Sequence, residues 1–165
     1  MLPAPIPQDD AERLKALLAL NLLDTEPEER FDSITHEVCQ RLNVPICTIT
    51  LIDSHREWYK SAQGLKTREG NRADSFCGHA LISKYIFVID DTLKDPNFAD
   101  NPQVIGEPFI RFYAGVALRE NITNHPIGVL CIKDIKPRSF TSAELGLLLE
   151  FAAKTEIEIN RGNKK

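Results

Sequence analysis

Ser75-Phe76-Cys77-Gly78-His79 is the stretch of this chain richest in reactive groups. Ser75 can cap a short helix running to Lys84, which sets Cys77 beside a helix N-terminus. The positive end of a helix lowers a thiol's pKa and raises its thiolate content. His79 can hydrogen-bond a ligand or relay a proton. The alternative is structural: Phe76 and Cys77 fill core, and His79 answers a loop carbonyl. A second constellation is Arg111-Phe112-Tyr113. Arg111 can grip a carboxylate or phosphate with two donors, and Tyr113 offers an aromatic wall with a hydroxyl. The competing role for Arg111 is an ion pair to Asp91 or Asp100. Trp58 either lines a pocket or covers the sheet. The run Asp95 to Pro102, with Phe98 and Asn101, has Asx-Pro turn chemistry and reads as a mobile lid or an ordered structural loop.

Other chemistries find little support. Cys39, Cys47, Cys77 and Cys131 form no C-x-x-C pair and read as free thiols of a reducing compartment. A zinc site from Cys47, Cys77, His79 and Cys131 lacks the usual ligand spacing. No metal is expected. There is no glycine-rich phosphate loop and no Ser-His-Asp pattern that can be placed.

The elements that must position these residues follow from periodicity. Residues 1–9 form an extended lead-in, because Pro3, Pro5 and Pro7 fix the backbone. Asp9 or Asp10 then caps a helix with apolar positions Ala11, Leu14, Leu18 and Leu22, ending near Leu23. Thr25 is expected to cap a second helix, starting at Pro27 or Glu28 and reaching Leu42, with a stripe of Phe31, Ile34, Val38 and Leu42. Ile46 to Ile52 is a central strand, apolar on both faces. Asp53 to Arg56 turns it into a hairpin with Glu57 to Ser61. Gly64 to Asp74 reads as loop, and Phe87 to Ile89 as a short strand. Lys94 to Pro108 leaves room for one short helix, near Asn101 to Ile105. Arg111–Leu118 and Ile127–Asp134 form a second hairpin. Thr141 with Glu144 is a capping box for the last helix. That helix carries apolar residues on more than one face, which predicts a dimer interface made by the terminal helices. Packing of the first helix on the last is the alternative.

Size and charge bound the function. A chain of 165 residues is one domain's worth, with residues 10–160 as a single unit and 161–165 as a disordered tail. Lys plus Arg total 20 against 24 Asp plus Glu, so the net charge of −4 disfavours nucleic acid and anionic membranes as partners. No signal-peptide pattern or spanning segment is visible, which points to the cytoplasm. Strands joined by hairpins, with helices at both ends, give an α+β domain with a mainly antiparallel sheet.

Several motifs in order resemble bacterial GAF domains. They are Arg13-Leu14-x-Ala16-Leu17 through Leu22-Leu23-Asp24-Thr25, then Pro27-Glu28-Glu29-Arg30-Phe31-Asp32, Val44-Pro45-Ile46 and Leu51-Ile52-Asp53. Arg56-Glu57-Trp58-Tyr59-Lys60-Ser61, Ser75-Phe76-Cys77-Gly78-His79-Ala80, Asp95-Pro96-x-Phe98-Ala99-Asp100-Asn101-Pro102, Arg111-Phe112-Tyr113-Ala114-Gly115 and Gly128-x-Leu130-Cys131 complete the set. The resemblance spans about residues 10 to 155. It implies a PAS-related antiparallel sheet, terminal helices on one face, and a small-molecule pocket under loops on the other. It further implies a non-catalytic sensory role, with the signal passed to a kinase or cyclase output. The chain is then a stand-alone sensor or a fragment of something longer.

On that basis the pocket candidates are Trp58, Phe76, Cys77, His79, Asp91, Phe98, Asn101, Arg111 and Tyr113. Arg111 and His79 favour a small polar or anionic ligand, whose identity stays open, as does any cofactor. The family's cyclic-nucleotide signature is not recognisable, and Cys77-x-His79 has the wrong spacing for a bilin. Haem through His79 has no positive support. Cys77-Gly78 matches one cysteine of the GAF-type free methionine-(R)-sulfoxide reductases, but residues 82–108 lack the other two. A thiol redox enzyme or sensor centred on Cys77 is therefore the second reading, and a ligand-free adaptor the third. In such sheets the first and last main strands are neighbours, so Cys47 and Cys131 are either close-set thiols or simply two adjacent core residues.

Overall fold

The structure is a computed structural model that describes residues 1–163. Its centre is a six-stranded antiparallel sheet in the order β3-β2-β1-β6-β5-β4. The strands are β1 (Ile46–Ile52), β2 (Arg56–Gln63), β3 (Glu69–Asn71), β4 (Phe87–Ile89), β5 (Phe112–Arg119) and β6 (Pro126–Asp134). The helices are α1 (Asp10–Ala19), α2 (Glu29–Leu42), α3 (Phe76–Ala80), α4 (Pro102–Ile105) and α5 (Ser142–Asn160). The α+β class and both hairpins are as the sequence predicts.

The sheet separates two cores. On one face α1, α2 and α5 cover it, and Leu17, Phe31, Val38, Leu42, Leu148 and Phe151 meet Cys47, Ile49, Leu51, Leu130 and Ile132. On the other face α3, α4 and the lid segment bring Phe76, Cys77, Leu81, Phe98, Val104 and Ile110 onto Ile52, Tyr113, Val129 and Cys131. A β-strand directs alternate side chains to opposite faces, so β1 feeds both cores and is buried throughout.

Several boundaries differ from expectation. The first helix stops at Ala19 rather than Leu23, because Asn21 and Asp24 adopt left-handed backbone (φ 54° and 61°). Asp10 does not cap it. Its carboxylate accepts from buried Arg13 Nε (2.7 Å) and from Arg72 Nη2 (2.9 Å), tying α1 to the turn before α3. The two guanidinium groups overcome the cost of partial burial and hold Asp10 down at about pH 2. Thr25 does not cap α2, whose N-cap is Glu28. Thr25 instead donates to the Leu22 carbonyl and accepts from Lys60 Nζ (2.5 and 2.7 Å). The expected loop 64–74 contains the edge strand β3 and a 3-10 turn at Arg72–Asp74. The helix expected over 75–84 is only α3, which hands over to turns after Ala80.

The capping box of α5 is present, with Thr141 and Glu144 exchanging bonds of 3.1 Å. The helix turns Leu148, Phe151, Ala152, Thr155 and Ile159 inward, against α2 and β5. Leu149 and Ile157 remain exposed. The lead-in is extended as expected, and it is strapped down: Leu2 N donates to the Asn97 carbonyl and Ala4 N to the Ala73 carbonyl. Of the expected tail, Asn163 bonds Asn121 Oδ1 at 3.1 Å, while residues 164 and 165 lie outside the described residues.

Candidate functional site

The face of the sheet under α3 and the lid holds most of the predicted residues. Ser75 Oγ accepts from Gly78 N (3.0 Å), so the cap read from the sequence starts α3 and drives Phe76 and Cys77 inward. Gly78 has no room for a side chain, since a Cβ there would stand 2.6 Å from Ala4 of the strap. Phe76, Phe98 and Tyr113 form an aromatic cluster, with ring centroids 4.8 Å (Phe76–Phe98) and 5.3 Å (Phe76–Tyr113) apart. Tyr113 lies flat along β5 because Gly115 offers no Cβ; one would meet the tyrosine oxygen at 2.4 Å. In that pose the Tyr113 hydroxyl donates to Cys77 Sγ at 3.2 Å.

Other candidates sit at the rim. His79 is half-buried, its Nε2 is 3.1 Å from the Leu2 carbonyl, and burial lowers its pKa. Asn101 caps α4 through Gln103 N (2.9 Å) and donates from Nδ2 to the Asp74 carbonyl (3.0 Å), clipping the lid to the turn before α3. Asp91 caps a 3-10 turn through Leu93 N (3.1 Å). Arg111 pairs with neither Asp91 nor Asp100. It donates to the carbonyls of Val104 and Ile110 (3.0 and 3.2 Å), bracing the end of the lid. Asp100 instead holds the Met1 ammonium.

Strand parity overturns Trp58 as a pocket candidate and rules out close-set thiols at Cys47 and Cys131. Trp58 packs in the helix-side core, away from Phe76 and Cys77. Cys47 and Cys131 are not together, although their strands pair. The register sets Cys131 opposite Thr48, so Cys47 faces the helices and Cys131 faces α3.

The same parity brings in residues that sequence reasoning missed. Glu57 and Tyr59 of β2, Thr48 and Thr50 of β1, and Cys131 and Lys133 of β6 share the α3 face. Thr48 Oγ1 lies 2.7 Å from Thr50 Oγ1 and 3.0 Å from Cys131 Sγ, a row of polar groups across the floor. Tyr59 donates its hydroxyl to Glu57 Oε1 at 2.6 Å. Glu57 is 1% exposed, and its Oε2 has no hydrogen-bond partner among the described residues. Lys133, also 1% exposed, donates to Gln103 Oε1 of α4 at 3.3 Å. A buried polar atom without a partner is costly, so the free Glu57 oxygen is not a packing accident. The hint in the sequence is a charged residue within β2 beside Trp58 and another at the end of the apolar run of β6.

The thiols divide in character. Burial raises Cys77 well above the ordinary thiol, with the neighbouring Cys131 adding to it. Burial acts on Cys131 too, but the neighbouring Cys77 thiol, the Thr48 hydroxyl at 3.0 Å and the Lys133 ammonium outweigh it and bring Cys131 down to about 7. Burial and the two thiols also hold Tyr113 firmly protonated. Open surface grooves lie elsewhere, for instance one of about 430 Å³ between α5 and the β5–β6 turn. The layer over Glu57 and Lys133 is closed.

An antiparallel sheet with α1, α2 and α5 on one face and α3 and α4 over a closed polar floor on the other defines an α+β domain. The GAF domain family model matches residues 26–159, and the chain belongs to that family. A curated relative, cyclic di-GMP phosphodiesterase PA2567 of Pseudomonas aeruginosa, is 36% identical over 155 residues. The match covers 92% of this chain and 26% of the relative, so the chain spans about a quarter of that protein's length.

Solved structures give the same fold at low identity. The GAF domain of an Acinetobacter phosphoenolpyruvate-protein phosphotransferase matches with a TM-score of 0.64 at 18% identity, covering 91% of this chain and 94% of that one. Free methionine-R-sulfoxide reductase from Neisseria meningitidis gives 0.65 at 17%, covering 99% of both. The PixJ GAF domain of Thermosynechococcus elongatus gives 0.64 at 12%, covering 95% of this chain and 90% of that one. Among the described residues no helix is long and apolar enough to cross a membrane.

Proposed function

We propose that this chain is a non-catalytic, cytoplasmic sensory domain that binds a small polar molecule between its sheet and its lid. The carrying observation is the buried Glu57 oxygen left without a partner over a polar floor. A core built only for stability would not retain it. The ligand site comprises Phe76, Cys77, Phe98 and Tyr113 from the expected set, with Glu57 and Lys133 added. His79, Asp91, Asn101 and Arg111 hold the strap and lid. Binding favours a lid position different from the closed one, and that population shift is the signal.

The terminal helices carry the output. Leu18, Leu149 and Ile157 leave apolar surface on α1 and α5, which supports a homodimer through those helices. The relative named as a phosphodiesterase supports a neighbouring output domain of cyclic-dinucleotide signalling, beside the kinase or cyclase expected from the sequence. Native mass spectrometry of the protein purified from its own cytosol tests both points. A dimer carrying a mass that is lost on denaturation is the expected result. A bare monomer at high micromolar concentration removes the dimer and the tight ligand together.

The second reading is thiol redox chemistry, favoured by Cys131 with its lowered pKa beside Cys77. With a sulfoxide as oxidant, two thiols give one disulfide, the sulfoxide becomes a thioether, and its oxygen leaves as water. Turnover of free methionine sulfoxide with a thiol reductant, abolished in Cys77→Ser, would establish it. No turnover leaves the sensor.

A further inference from the structure

Cys77 and Cys131 meet on the lid side of the sheet, and a ligand sensor needs neither sulfur as a reactive group. Gly115 stands opposite Cys131 in the β5–β6 ladder. Residues directly opposite in a ladder hold their Cβ atoms about 4.5–5.5 Å apart. The Tyr113 hydroxyl fills the space a Gly115 side chain would take, so it lies beside Cys131. The same hydroxyl donates to Cys77 Sγ at 3.2 Å. One tyrosine therefore sets the sulfur of α3 next to the sulfur of β6. Thr48 Oγ1 lies 3.0 Å from Cys131 Sγ and holds it from β1. Lys133 shares this face, its ammonium 5.9 Å from the ring centre of Phe76, the neighbour of Cys77.

The four free thiols are not alike. Burial pushes Cys39 up to about 11 and holds Cys47 and Cys77 well above the ordinary thiol. Cys131 alone comes down, to about 7, and so supplies a thiolate, the nucleophilic form, at neutral pH. A thiolate with a second thiol beside it is the arrangement that a peroxide carries through sulfenic acid to disulfide. We propose that Cys131 and Cys77 form an oxidation site for a small hydroperoxide, which joins β6 to α3 through a disulfide. This goes beyond the ligand-sensor reading and does not require the turnover of the sulfoxide reading.

The Cys131 thiolate attacks one peroxide oxygen. The S–O bond forms, the O–O bond breaks, and the leaving hydroxide takes up the proton the thiol gave up, as water. Cys77 sulfur then attacks Cys131 sulfur. The S–S bond forms, the S–O bond breaks, and the second hydroxide leaves with the Cys77 proton as water. Two thiols are oxidised by two electrons, and one hydrogen peroxide is reduced to two waters. Both sulfurs are fully buried, so the oxidant must be small. Hydrogen peroxide is close to water in size and needs only a local opening of the short α3–α4 layer.

The test treats the reduced full chain with hydrogen peroxide, alkylates the remaining thiols after denaturation, and maps tryptic peptides by mass. Trypsin puts each of the four cysteines in a separate peptide. We expect the loss of two thiols and two hydrogens, a Cys77–Cys131 linked peptide, and alkylated Cys39 and Cys47. Cys77→Ser should stop at the Cys131 sulfenic acid, trapped by dimedone, and Cys131→Ser should leave Cys77 reduced. No link, or a link through Cys39 or Cys47, overturns the proposal. So does oxidation of Cys77 in Cys131→Ser at the wild-type rate. Peptide mapping of the wild-type protein does not depend on the variants, so a misfolded variant leaves the test decisive. No ligand enters the experiment, so its failure leaves the ligand sensor standing.

Discussion

The two faces of one sheet are built to different rules. On the helix side, Phe31, Val38, Leu42, Ile49, Leu130 and Phe151 interdigitate as hydrocarbon, and the charged Lys60 is answered by Thr25, the Glu26 carbonyl and Glu28. On the lid side, Phe76, Phe98 and Tyr113 cover a floor of hydroxyls and thiols bounded by a carboxylate with a free oxygen and a lightly held ammonium. Both faces bury their residues equally well. They differ in whether the buried polar groups find partners inside the protein. The helix side satisfies them and gains stability. The lid side leaves one Glu57 oxygen without a partner, which costs stability.

The strongest test of this contrast is on the helix side. Phe31→Ala should cost about 3–5 kcal/mol, read as a lower urea midpoint with unchanged slope, because a fully buried ring leaves a cavity. A loss below about 1 kcal/mol would show that this face is not the main source of stability. Glu57→Gln should go the other way. Removing a buried carboxylate whose second oxygen has no partner should raise the stability of the protein by about 1–2 kcal/mol. A clear loss would mean that Glu57 is already satisfied and the contrast is false.

Smaller effects sharpen the picture. Ser75→Ala should cost about 1 kcal/mol by uncapping α3, measured by the same titration. Cys131 offers a pH test. Its proton affinity in the folded protein lies below that of an ordinary thiol, so folding favours the thiolate. The stability it adds is fully present above the unfolded thiol's pKa and is lost as pH falls through about 7. Thiolate ultraviolet absorbance should therefore titrate near about 7 in the folded protein. Lys133→Met should move that midpoint upward. An unchanged midpoint would remove Lys133 as its cause.

Local signals were legible along the chain. Ser75 and Thr141 act as the caps their spacing suggests, and the β5–β6 hairpin spans nearly the expected residues. The short helix after Asn101 is where its Asn-Pro step places it. Edge strand β3 was not legible, because three residues including Gly70 carry no alternation to read. Of the candidate site, Phe76, Cys77, Phe98 and Tyr113 come together, while Trp58 goes to the other face. Glu57 was passed over although it stands next to Trp58. In a strand buried on both sides, apolar alternation no longer says which neighbour faces which core.

The sequence by itself determined the α+β class, the caps, the hairpins and the membership carried by the ordered motifs. Each depends on residues close in the chain or on a fixed motif order. Only the tertiary structure decided that Cys131 meets Thr48 and Cys77 rather than Cys47, and that Glu57 and Lys133 face one closed floor. Those are matters of strand register and of which layer covers which face. Shifting the register by one residue would exchange the two faces while leaving every local signal unchanged.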